Sequence, residues 1–254
     1  DDIDFQIECD FIGIISPGLP KVALGVANKV GHLMNYGDGY YAGAFLTVLY
    51  TYAYFESDRV KLIQMALEGI PSESNYAKII KDILNWYAED SENWRVTWQK
   101  LEDKWNSDLC PWAKSDRLPL QKDTVSSKFN IQGHFNGAYI LLGLLYGKGD
   151  FLKSIRICTR CGQDTDSNVA NCGGILGVIL GNDNLPEIVH AELAPYMDRN
   201  FHFTSLSING ATELSYSLAL ENIRSNNGKI TDKNITLSVQ KAKHIGPCEV
   251  SFPG

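Results

Sequence analysis

"CGQDTDSNVANCGGILGVILG", residues 161–181, places Asp164, Asp166 and Ser167 within four positions and then runs directly into an apolar, glycine-spaced segment. Spacings of one and two residues cannot put three side chains on one face of a regular helix, but in a loop and first turn they can converge on one point. Two readings follow. In the first, the residues are caps, since Asp and Ser are preferred there and negative charge favours a helix N-terminus by about 0.3–1 kcal/mol each. In the second they are ligands, because an oxygen-only set suits hard cations such as Mg²⁺, Mn²⁺ or Ca²⁺. Capping alone needs only one such residue. Beyond the cluster, Ala170, Gly173, Gly174, Gly177 and Gly181 strip side chains from the helix, at up to about 1 kcal/mol per Gly relative to Ala. Close packing is the expected compensation, for a helix whose N-terminus sits deep in a bundle.

Working outward, the chain reads as helix after helix. "GLPKVALGVANKVGHLM" puts Pro20 at a first helical position and repeats Val22, Val26, Val30 and Leu33 at three-to-four spacing. "GYYAGAFLTVLYTYAYF" is apolar nearly all round and belongs in the middle of a bundle. "SNYAKIIKDILNWYAED" has Ser74 as cap and a stripe through Ile79, Ile80, Ile83 and Leu84, and "ENWRVTWQKLEDKW" follows with Trp94, Trp98, Leu101 and Trp105. Residues 106–130 read as a polar connection, "HFNGAYILLGLLYGKGD" as a second buried helix, and "DFLKSIRICTRCG" as a helix capped by Asp150 and stopped at Gly162. A last helix is expected at about 205–225. "KNITLSVQKAKHIGPCEVSFPG" then alternates like strand. The fold class expected is all-α, an orthogonal multi-helix bundle over residues 1–228, with a small β-extension over 229–254.

A net charge of −7 over 254 residues argues against a broad nucleic-acid footprint, and no run of eighteen apolar residues suggests a membrane span. A small-molecule or metal partner fits better. Six cysteines are scattered through a long chain, so they read mostly as free thiols; the lone Cys158–Cys161 pair lacks the second pair or histidines of a structural zinc site.

"GQDTDSNVANCGGILGVILG" resembles the GxDxDT/S motif and following Gly- and Ala-rich helix of the ADP-ribosylglycohydrolase family, of the dinitrogenase-reductase-activating type. A second match upstream, "DFIGIISPGLPKVALGVANKVGHLMNYGDGYYAGAFLTVLYTYAYFES", is similar to that family's Pro/Gly loop, helix with a His-containing end, glycine turn and buried helix. The resemblance implies an orthogonal bundle of that family's type and a metal-dependent hydrolase cleaving the N- or O-glycosidic bond at C1 of ADP-ribose. It implies Asp164, Asp166 and Ser167 as metal ligands, with Ser167 where Thr is more usual, in a paired Mg²⁺ centre for which Mn²⁺ is the alternative. It further implies that Ser16, Pro17 and Gly18, and His32 with the turn Asn35, Tyr36 and Gly37, face a small-molecule or protein-linked ADP-ribose substrate. Without the resemblance, His32 reads as a satisfied histidine at a helix end.

The family's Thr-Asp-Asp cluster and early catalytic carboxylate have no counterpart in the sequence, which is expected to begin partway through a parent protein. "DDIDFQIECD" resembles the stretch preceding the loop in bacterial members, so Glu8 and Asp10 are candidates to face the cleft; surface carboxylates flanking an element end are the plain alternative. Without upstream ligands the metal sites are expected to be weak or partial, since each hard cation wants about six oxygens. Trp94, Trp98, Trp105 and Trp112 are packing residues or platforms for a sugar or adenine. A binding module without turnover and a glycoside hydrolase for another sugar stay open as functions. A cytoplasmic location is the default, an extracytoplasmic one follows if a leader preceded the chain, and oligomeric state is undetermined.

Overall fold

The structure is a computed structural model describing residues 2–105 and 131–249. The connection at 106–130, with Cys110 and Trp112, lies outside the described residues. Among the described residues the order is α1 (Asp4–Glu8), α2 (Asp10–Ile14), α3 (Pro20–Gly31), α4 (Asp38–Ala53), α5 (Arg59–Leu67), α6 (Asn75–Glu89), α7 (Trp94–Trp105), α8 (Gly133–Gly147), α9 (Phe151–Cys161), α10 (Thr165–Leu180), α11 (Glu187–Leu193) and α12 (Ile208–Ser225). The hairpin β1 (Lys229–Ile230) and β2 (Ile235–Thr236) follows, paired antiparallel with Lys229 opposite Thr236. None of these helices is long and apolar enough to cross a membrane.

Two helices form the centre. Every residue of α4 from Gly39 to Ala53 and all of α8 are buried, which is why both sequences lack a polar face. The amphipathic helices close around them. Ser74 caps α6 by accepting from the Ala77 N–H at 3.1 Å, and Asp150 caps α9 through the Lys153 N–H at 2.8 Å. The ring of Phe5 in α1 stacks on Tyr40 and lies flat against Gly31 and Gly43, where any Cβ would collide with it. The described cysteines are free, and Cys9, Cys158, Cys161 and Cys172 are buried.

Two expectations change. The strand-like tail forms only two-residue strands; residues 237–249 instead run as an irregular strap along α4. Its amides find single partners: Gln240 N–H donates to the Gly18 carbonyl at 2.8 Å, Ala242 N–H to the Tyr52 hydroxyl at 2.6 Å and His244 N–H to the Glu68 carbonyl at 2.8 Å. Alternating sequence without an unpaired neighbouring strand has nothing to build a sheet on. The glycines of α10 also differ from one another. Gly174 lies tight against the Tyr50 hydroxyl, whereas a Cβ at Gly177 or Gly181 would meet nothing within 4 Å.

Candidate active site

The acidic turn starts from backbone geometry. Gly162 at φ 98° and Gln163 at φ 56° reverse the chain between α9 and α10. Asp164 then takes the N-cap position, its carbonyl accepting from the Asn168 N–H at 3.1 Å. Its side chain makes no capping bond to the helix. The Asp164 carboxyl lies close enough to Asp166 and Ser167 to interact electrostatically with both. Desolvation, with Asp166 adding to it, lifts Asp164 above the ordinary carboxylate range, while the interaction with Asp164 holds Asp166 below it. Two carboxylates and a hydroxyl thus meet, with Asp166 open to solvent. Among the described residues, no group of three or more His, Cys, Asp or Glu side chains is arranged to hold a metal. The donor set nonetheless suits Mg²⁺, which commonly uses one or two carboxylates and keeps several waters.

Beneath the turn lies a buried relay that sequence reasoning missed. The Asn136 Oδ1 accepts from the Asp164 N–H at 3.1 Å and from Asn168 Nδ2 at 2.7 Å. Its Nδ2 donates to the Gln132 carbonyl at 2.9 Å and to Gln163 Oε1 at 3.2 Å. Gln163 in turn reaches the Tyr139 hydroxyl, which donates to the buried Glu102 carboxylate. Trp98 Nε1 donates to the Cys161 carbonyl at 3.0 Å, so α7 braces the turn from the side. Trp98 therefore serves packing and positioning. Trp105 donates to Asp82 at 2.8 Å in the same structural manner. The available signal was a pair of polar residues, His134 and Asn136, inside an otherwise apolar helix.

Of the other expected residues, the structure brings one group toward this turn. Asn35 is buried; its Oδ1 accepts from the Phe5 N–H at 2.6 Å and its amide bonds the Asp2 carboxylate. Asp2 bridges to Gln132, and Gln132 leads through Asn136 to Asp164. The next residues hold the start of α4, with Asp38 accepting from the Tyr76 N–H at 2.9 Å and paired with buried His134 at 3.3 Å. The Asp38 carboxyl lies below its usual range: burial opposes this, but the His134 ring beside it and the Tyr76 N–H win. His32 stacks on Tyr40 with ring centres 4.0 Å apart, and Tyr36 is exposed. Tyr36 and Tyr40 line a cleft of about 590 Å³ together with Lys21, Asn28, Lys243 and Glu249.

The loop at Ser16–Gly18 is elsewhere. Gly18 N–H donates to the Thr51 carbonyl at 2.8 Å, fourteen residues along α4 from Gly37, or about 20 Å at 1.5 Å per residue. Ser16 is buried with no partner for its hydroxyl, and the Gly18 carbonyl is taken by Gln240. Pro17 lines a separate apolar groove against α12.

The two N-terminal carboxylates also part. Glu8 is exposed. Asp10 is largely enclosed; it accepts from Asn171 Nδ2 at 2.6 Å, and burial pushes its pKa up to about 6 against hydrogen bonds from Tyr50 and Asn171. Asn171 lies seven residues below Asp164 on α10, about 10 Å away.

A family model described as ADP-ribosylglycohydrolase matches residues 5–210, from α1 to the start of α12. No curated protein and no solved structure matches. The chain belongs to the ADP-ribosylglycohydrolase family.

Proposed function

We propose that this member of the ADP-ribosylglycohydrolase family cleaves the glycosidic bond at C1 of an ADP-ribose compound, with Mg²⁺ held by Asp164, Asp166 and Ser167. The observation that carries the reading is the meeting of those three oxygen side chains at the start of α10, on a turn braced by Asn136 and Trp98. Bound there, Mg²⁺ would supply Lewis acidity and a template for ribose hydroxyls and water. The reaction replaces the nitrogen or oxygen on C1 by a water oxygen, and the leaving atom takes a proton. Asp10, with its pKa near 6, has the properties of a group that handles a proton at neutral pH, whereas exposed Glu8 does not. The turn from His32 to Gly37 would face the substrate, with Asn35 acting indirectly by tying that turn to α1.

Release of ADP-ribose from a modified peptide, measured with and without Mg²⁺, tests this. Asp166→Ala should lower turnover by about a hundredfold or more with the fold intact, since Asp166 is exposed. Unchanged turnover would remove the proposal. A binding module without turnover is the second reading, favoured by a donor set covering half of a six-oxygen shell. ADP-ribose binding with no release under any metal would select it.

A further inference from the structure

The strap meets the molecule at a chemically specific place. Glu249, 212 residues beyond Gly37, sends one carboxylate oxygen to the Gly37 N–H at 3.0 Å and the other to His32 Nε2 at 2.9 Å. The Glu249 N–H donates to the Tyr41 hydroxyl, which fixes the backbone beside it. His32 Nδ1 lies 2.6 Å from the Asn28 carbonyl, so both ring nitrogens face oxygen atoms and the ring is held in place. The Gly37 amide stands at the N-terminus of sixteen-residue α4, where the helix dipole also favours negative charge. An amide, a ring N–H and a helix start converge on one carboxylate, and the about 590 Å³ cleft opens next to it.

We propose that the strap regulates the site in cis: Glu249 occupies the position that a substrate phosphate would take, and the substrate must displace it. The proposal rests on the reading of His32–Gly37 as substrate-facing. Among the described residues no other charged side chain bonds the Gly37 amide, so removal of Glu249 leaves a ready-made oxyanion site. A ligand whose site is open only a fraction of the time binds more weakly by that fraction. If the strap is seated nine-tenths of the time, freeing the site should tighten binding about tenfold.

The experiment is calorimetric titration of ADP-ribose, with Mg²⁺ present, into the full chain and into Glu249→Ala. Glu249→Gln, which keeps the shape and loses the charge, serves as the second variant should the first fail to fold. The expected result is binding about tenfold tighter for Glu249→Ala, a smaller gain for Glu249→Gln, and loss of the gain in the Glu249→Ala/His32→Ala double variant. Equal affinity in the wild type and both single variants overturns the strap's role while leaving the substrate reading standing. No binding by any form defeats the substrate-facing reading and the strap's role with it.

Discussion

The two ends of α4 are built differently. At its N-terminal end, side-chain amides and carboxylates do the bonding: Asn35 to Asp2, Asn136 to the Asp164 N–H, and Asp38 to the Tyr76 N–H link elements distant in sequence. At its C-terminal end, Gly18 is closed by main-chain bonds to Thr51 and Gln240, over an apolar groove. The closed end rests chiefly on main-chain bonds, with the Tyr52 hydroxyl joining it to the strap, whereas the N-terminal end can be dismantled one side chain at a time. The acidic turn sits with the N-terminal, side-chain-built end.

The largest effect on stability is expected at Asn136. Asn136→Ala leaves the Asp164 N–H and the Asn168 amide without their acceptor, and each buried orphan costs about 1–3 kcal/mol. A loss of about 3 kcal/mol in urea unfolding, with turnover falling beyond the folded fraction, is the expected outcome; a loss under about 1 kcal/mol would erase the contrast between the two ends.

Asp10 comes next, and its sign is opposite. A carboxyl raised to about 6 binds its proton more tightly folded than unfolded, so its contribution to stability declines as pH rises from about 4 through 6. Asp10→Asn removes that penalty and should stabilise the chain by about 2–3 kcal/mol at pH 8, with no gain below pH 4. Melting curves at both pH values check it, and lowered turnover in the same variant would mark a site that holds a costly charge for function.

Within α10, Gly174→Ala should cost about 1–3 kcal/mol by forcing Tyr50 aside, while Gly177→Ala should add about 0.5–1 kcal/mol. Equal effects at the two positions would show that the helix is not packed as described. The smallest change is expected at the closed end. Ser16→Ala removes a buried hydroxyl with no partner and should be neutral or stabilising by at most about 1 kcal/mol, with turnover unchanged. A tenfold loss of turnover would return that loop to the site.

Much of this was legible in the sequence for local reasons. Pro20 marks a helix start by its fixed φ, Ser74 and Asp150 mark theirs through bonds made within three residues, and the unbroken apolar character of α4 and α8 could only mean full burial. The acidic turn was legible because its members are adjacent. Its supports were not: Asn136 acts on residues 28 and 32 positions away, and Trp98 on one 63 away. The place of Ser16–Gly18 escaped for the same reason, since glycine and proline announce a turn but not which end of a neighbouring helix it meets. The small β-extension was legible as the β1–β2 hairpin, but the course of the strap beyond it was not, because alternation records exposure on two sides and a chain laid on a helical surface also alternates.

The connection between α9 and α10 carries one more implication. Gln163 holds a left-handed backbone that costs a residue with a side chain about 1–2 kcal/mol, and its amide is at the same time bonded to Asn136. Such a joint has little freedom to slide or swing, so the Asp164 carboxylate is aimed before any ligand arrives. Affinity at that point would owe its strength to preorganisation, not to movement on binding.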